Sequence, residues 1–219
     1  MHRIPVWDLP TRLFHWLLVV AFAASWLTHE LGEIDWHFYA GYSLLGLLLF
    51  RLAWGFVGSV HARFADFLPT PAKLLSYVRN GTRDTTGHNP LGALSVMTLL
   101  LLLLAQVISG LFNADDEGNQ GPYHALLPDG WADSVGSWHG LFFDALLAML
   151  ALHLAAIAYY QFIRKQPLIG AMITGYKPGQ NGKRPPVTLR RALSVLLVCG
   201  LTVGAILYFA PEIETEQFF

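Results

Sequence analysis

Long apolar runs broken by short polar stretches dominate the chain. Five of them reach the roughly 20 mostly apolar residues needed to cross a bilayer core. They fall at about 11–31, 36–58, 90–113, 134–163 and 188–210. The third contains the unbroken run Leu99–Ala105, and the fourth is long enough to tilt or protrude. Each must be helical, because no other open structure satisfies its own backbone in lipid. The pattern predicts an all-α integral membrane protein. The connections at 59–89 and 164–187 carry Pro and Gly and read as loops. Lys177–Pro186 (KPGQNGKRPP) reads as a flexible linker. The expected organisation is a four-helix unit over 1–176, a linker over 177–187, and a fifth span with an acidic tail over 188–219.

Composition supports this reading. The chain of 219 residues is 54% apolar and only 13% charged, with a mean hydropathy of +0.43. A soluble domain carries about twice that charge. The single cysteine, Cys199, excludes a disulfide framework, a cysteine-held iron–sulfur cluster and covalent C-x-x-C-H haem attachment. The apolar run after Arg12 has no small-residue cleavage site and reads as a retained helix.

Charge placement adds an orientation. Arg3 and Arg12 flank the entry to the first span. The 59–89 connection holds Arg63, Lys73, Arg79 and Arg83; the 164–187 connection holds Arg164, Lys165, Lys177, Lys183 and Arg184. Segments 32–35, 114–133 and 211–219 hold acidic residues and no Lys or Arg. The positive-inside rule then puts the N-terminus in the cytoplasm and the C-terminus outside.

Orientation turns the histidines into depths. His139 and His153 lie fourteen residues apart in the fourth span. That spacing is ~21 Å along a helix and ~40° short of four full turns, so both rings leave nearly the same face, one near each membrane surface. His15 joins His153 at the inner depth. At the outer depth His139 has two candidate partners, His29 and His37, between which spacing does not choose. Two imidazoles from facing helices suit the axial positions of a haem iron, and bis-His ligation serves electron transfer. Structural zinc needs four ligands where each depth offers two. A lone intramembrane histidine is more often a helix–helix hydrogen bond or a proton relay; two pairs matched in depth favour metal centres. His2, His61, His88 and His124 fall outside the spans and read as solvated loop residues.

Several motifs resemble the bacterial cytochrome b561 and Ni/Fe-hydrogenase b-type cytochrome family. They are Pro10–Trp16 (PTRLFHW), His37–Tyr42 (HFYAGY), Arg51–Gly58 (RLAWGFVG), His88–Gly92 (HNPLG), and Trp138–His139 with His153. The resemblance covers roughly residues 5–176. It implies a diheme core with two non-covalent b haems, ligated by one histidine each from helices 1 and 2 and two from helix 4. Carried onto this chain, that selects His15, His37, His139 and His153, and prefers His37 to His29. Gly41, one turn from His37, would let a porphyrin approach the backbone. The fifth span departs from the family's four-helix pattern.

Other polar residues have two readings each. Arg51 either pairs with a propionate of the inner haem or snorkels to headgroups. Asp144 faces away from the haem side and either relays protons or, the favoured reading, pairs with a neighbouring helix. Gln106, Ser109 and Asn113 form a stripe that serves helix packing or contacts a quinone headgroup. The tryptophans fall mostly at membrane interfaces, as an aromatic belt does.

The expected function is transmembrane electron transfer in the bacterial inner membrane. It would link an extracytoplasmic redox partner, a hydrogenase or a c-type cytochrome, to membrane quinone. Two alternatives stand. Some relatives oxidise superoxide and reduce quinone, but that favours positive charge at the outer mouth, and the outer segments have none. A haem-free transporter or membrane anchor would use the histidines as a proton relay.

Overall fold

The structure is a computed structural model that describes residues 3–80, 87–114, 118–128, 130–178 and 189–211. Five long helices are apolar enough to cross a membrane. They are α1 (Leu9–Glu30), α2 (Ile34–Val57), α5 (Pro90–Phe112), α6 (Ala132–Ala158) and α8 (Leu189–Tyr208). The helical path of α6 continues through a π-helical turn over Tyr159–Ile163.

Local chemistry sets the starts of α1 and α5. The Asp8 side chain accepts the Thr11 N–H at 2.7 Å, and Pro10 sits in the first turn of α1. The Asn89 side chain accepts the Gly92 N–H at 2.7 Å, with Pro90 as the first helical residue of α5. In both, a capping oxygen takes an orphan donor, and proline stands where its missing N–H costs nothing. The turn between α1 and α2 is tight. Gly32 adopts φ +73°, and the Glu33 N–H reaches back to the Thr28 carbonyl at 2.9 Å. That geometry closes a helix end and sends the chain straight back.

Helix α1 packs on α2, α5 packs on α6, and α2 bridges the two pairs. Phe14, Leu44, Leu48, Leu100, Leu103 and Leu146 form the centre of the core. The fifth span, α8, lies on α2, where Val203 reaches within 3.7 Å of a Cβ built at Gly46. Tyr123 donates its hydroxyl to the Ile206 carbonyl, and Arg191 donates to the Val57 carbonyl at 3.2 Å. These bonds tie both ends of α8 to the bundle.

The connections hold more structure than loops. In the first lie α3 (Phe64–Phe67) and α4 (Pro71–Asn80). The second holds α7 (Leu168–Thr174) and the strand β2 (Tyr176–Pro178), which pairs antiparallel with β1 (Arg3–Pro5). In α4, Leu75 and Val78 alternate with Lys73 and Arg79, a short amphipathic pattern that Pro and Gly nearby obscure. The two strands are three residues each, too short for a periodic signal, and form where the N-terminal segment meets the chain after α7. Gly175, at φ +88°, caps α7, and its carbonyl accepts the N–H groups of Val6 and Trp7 at 2.8 and 3.2 Å. Apart from its first residues, the expected linker lies outside the described residues, as do His2, Arg83, Asp115, Asp116, Glu117, Asp129, Glu212, Glu214 and Glu216.

The connections after α2 and α6 and the N-terminus gather at one end of the bundle, here the basic end. The α1–α2 turn and the α5–α6 connection form the opposite, acidic end.

Candidate functional site

Two histidine pairs stand at the two ends of the bundle. At the acidic end, His37 of α2 faces His139 of α6, with ring centroids 6.5 Å apart and planes 81° apart. Both line one open cavity, together with Ser25, His29, Gly41 and Gln106. Nothing lies within 4 Å of a Cβ built at Gly41, so the wall there is open.

Each ring is oriented by a partner on a neighbouring helix. The His37 Nδ1–H donates to the Ser25 carbonyl of α1 at 2.8 Å. The His139 Nδ1 lies 3.0 Å from the Ser109 hydroxyl of α5, which itself donates to the Gln106 carbonyl at 2.9 Å. His139 Nδ1 is therefore the donor and Nε2 carries the lone pair, on which the Gln106 amide nitrogen rests at 3.0 Å. In each ring a fixed Nδ1–H leaves Nε2 as the nitrogen able to bind a metal. A Cβ at Gly110 would stand 3.0 Å from His139 Cε1, so glycine there gives the ring its room. His29 lies beside His37, with centroids 5.5 Å apart. Among the described residues no group of three or more His, Cys, Asp or Glu gathers as a metal cluster; the facing arrangement is of pairs.

At the basic end, His15 of α1 and His153 of α6 come within electrostatic reach of each other. Nδ1 of His15 is buried and has no hydrogen-bond partner, and its ring meets Trp16 edge-on at 5.0 Å. Arg51 does not snorkel. It is 3% exposed, and its guanidinium carbon lies 4.9 Å from the centre of the Phe64 ring and 5.8 Å from that of Phe67. The loop that carries α3 folds back over it, which hydropathy along α2 could not reveal.

Three other expectations change. Asp144 is exposed on α6, and among the described residues nothing pairs with it, so the favoured pairing inside the bundle is not made. Ser109 and Gln106 contact His139 rather than serving packing alone. His88 is not a solvated loop residue. Its ring packs 4.6 Å from Trp7 and 4.9 Å from Phe67, and its Nδ1 is buried without a partner. Burial first, then the nearby Arg51 charge, pushes the His88 ring down to about 3. Burial and the Lys177 charge push His61 down as well. The signal for His88 was its place, one residue before the Asn89 cap that pins the start of α5.

Comparison with known proteins gives this geometry a family. Residues 6–175 match the model of the prokaryotic cytochrome b561 family. The chain is 24% identical over 209 residues to a protein of Bradyrhizobium diazoefficiens named "Probable Ni/Fe-hydrogenase B-type cytochrome subunit", an alignment covering 78% of this chain and 84% of that one. It is likewise 24% identical over 218 residues to the "Probable Ni/Fe-hydrogenase 1 B-type cytochrome subunit" of Escherichia coli K12, covering 81% and 92%. No solved structure matches the chain significantly. With the family model spanning most of the chain and five apolar helices around paired histidines, the chain belongs to the prokaryotic cytochrome b561 family of multi-pass membrane haem b proteins of bacterial electron transfer.

Proposed function

We propose that the protein carries electrons across the bacterial inner membrane between an extracytoplasmic redox partner and the quinone pool, on two b haems. The observation that carries this reading is the facing of His37 and His139. His37 and His139 would hold one haem iron through Nε2, the nitrogen that each held Nδ1–H leaves unprotonated. The pair here stands at 6.5 Å beside an open cavity, so these residues fit the group. His15 and His153 would hold the inner haem, and Arg51 would face one of its propionates. Bound at these positions, haem b supplies one-electron chemistry at an iron with no open coordination site. The residues orient and fix it: Ser25 and Ser109 set the two outer rings, and Gly41 and Gly110 leave space.

The basic end is read as cytoplasmic, from the loop charges. Residues 1–176 are read as the diheme core, 177–187 as linker and 188–219 as an added fifth span; the family match, ending at 175, supports this division. The names of the relatives support a hydrogenase as the outer partner, with a c-type cytochrome as the other candidate. Superoxide chemistry is less favoured, because segments 32–35, 114–133 and 211–219 offer no Lys or Arg to attract an anion.

The test is vectorial. Proteoliposomes holding an impermeant oxidant inside, given an impermeant reductant outside, should transfer electrons only when the protein is present. A rate equal to that of protein-free vesicles contradicts the proposal. A second prediction concerns Ser109. Removing an outer partner of a metal-binding histidine typically costs 10–100-fold in affinity. Ser109→Ala is therefore expected to weaken retention of the outer haem by roughly tenfold, measured by haem transfer to an acceptor apoprotein. The inner haem should be retained as in the unsubstituted protein.

A further inference from the structure

The basic end buries cationic and hydrogen-bonding groups that nothing satisfies. Nη1 of Arg51 and Nδ1 of His88 are both buried without a partner. They share one aromatic wall. Phe67 lies 5.8 Å from the guanidinium carbon and 4.9 Å from the His88 ring, and Trp7 closes the other contact of His88 at 4.6 Å. Lys177 and His61 are within electrostatic reach of His88, as is His153.

The acids nearby are already engaged. Asp8 is within electrostatic reach of Arg51, but its two oxygens accept the Thr11 N–H at 2.7 Å and the Trp54 indole N–H at 3.1 Å. Asp66 is ion-paired with Arg63. Among the described residues no acid pairs with Arg51. Asp8 offsets the Arg51 charge from a distance, but Nη1 is left as a buried donor with no acceptor, which is costly. Arg51 Nη1 and His88 Nδ1, both unpartnered and both beside Phe67, match a carboxylate when His88 holds its proton on Nδ1: one oxygen for each donor.

We infer that Arg51 and His88 form a two-donor site for a carboxylate, that of a propionate of the haem held by His15 and His153. This rests on the diheme reading and deepens it. His88 is a positioning residue here. It holds the edge of the cofactor and stands apart from the iron ligands.

The test uses the holoprotein and reads the inner haem's redox equilibrium. A donor to a propionate offsets negative charge that otherwise favours the ferric state, so its loss should lower the inner potential. His88→Phe keeps the ring packing against Trp7 and Phe67 and removes the donor. Because a hydrogen bond to a charged group is among the stronger ones, the reduced-to-oxidised ratio of the inner haem at fixed ambient potential should fall roughly tenfold. The outer haem should not move. His88→Gln, which retains an N–H donor, should restore most of the ratio. The parent and the His88→Phe protein, each refilled with the dimethyl ester of haem, which has no carboxylate, should show equal ratios. An unchanged ratio in His88→Phe with natural haem overturns the inference. So does a shift of the same size with the diester, which would mean that His88 acts through the field at the iron or through a lipid phosphate. Protein that binds no haem overturns the diheme reading itself, and this inference with it.

Discussion

His37→Ala is expected to lose the outer haem and keep the inner one, whereas His29→Ala keeps both. The two histidines are adjacent in space, at 5.5 Å between ring centroids, so proximity alone does not separate them. Their surroundings do. The His37 ring faces that of His139 at 6.5 Å and 81°, and its Nδ1–H is fixed on the Ser25 carbonyl at 2.8 Å. A ring whose Nδ1–H is held is pre-set to offer its Nε2 to a metal, and His37 is held in this way. His29 closes α1 in its last turn, just before the Gly32 turn. Two observations check this: haem per chain from the pyridine haemochrome, and the surviving component of a redox titration. The His37→Ala protein should hold half the parent's haem, with the inner component unchanged. Loss of the outer haem in His29→Ala, with retention in His37→Ala, would reverse the assignment.

His153→Ala is expected to reduce transmembrane electron transfer to the vesicle background while leaving the outer haem reducible from outside. His153 lies fourteen residues from His139 on one helix, which is ~21 Å along its axis. Losing the inner centre leaves most of the ~30 Å hydrocarbon core without a carrier. His15 cannot hold an iron in the bis-His manner alone. His15→Ala should act in the same way. The proteoliposome assay reads transfer, and stopped-flow absorbance of the outer haem reads its reduction. Transfer at the parent rate in His153→Ala would exclude an inner bis-His centre as part of the path.

How far the sequence led depended on the kind of interaction. The spanning helices were legible because apolar length is a local property: the expected 36–58 became Ile34–Val57, and 90–113 became Pro90–Phe112. Histidine depth was legible for the same reason, since helical rise converts spacing into distance. What spacing could not give was the lateral order of helices. His29 and His37 are both at the acidic end, and only the lateral order of the bundle, with α5 packed on both α2 and α6, brings His37 opposite His139. The basic end was the least legible. The burial of Arg51 depends on Phe64 and Phe67 from a connection read as loop. The burial of His88 depends on Trp7, eighty-one residues away in sequence. Polar residues there look solvated in sequence, because the aromatic residues that cover them sit in short segments outside the spans.

The central claim is that one chain holds two b haems through two histidine pairs. Its most direct test is haem stoichiometry in protein purified after expression with ample haem supply. The pyridine haemochrome should give two b haems per chain, falling to one in His37→Ala and in His153→Ala. A colourless protein, or a single haem per chain that survives both substitutions, would contradict the account.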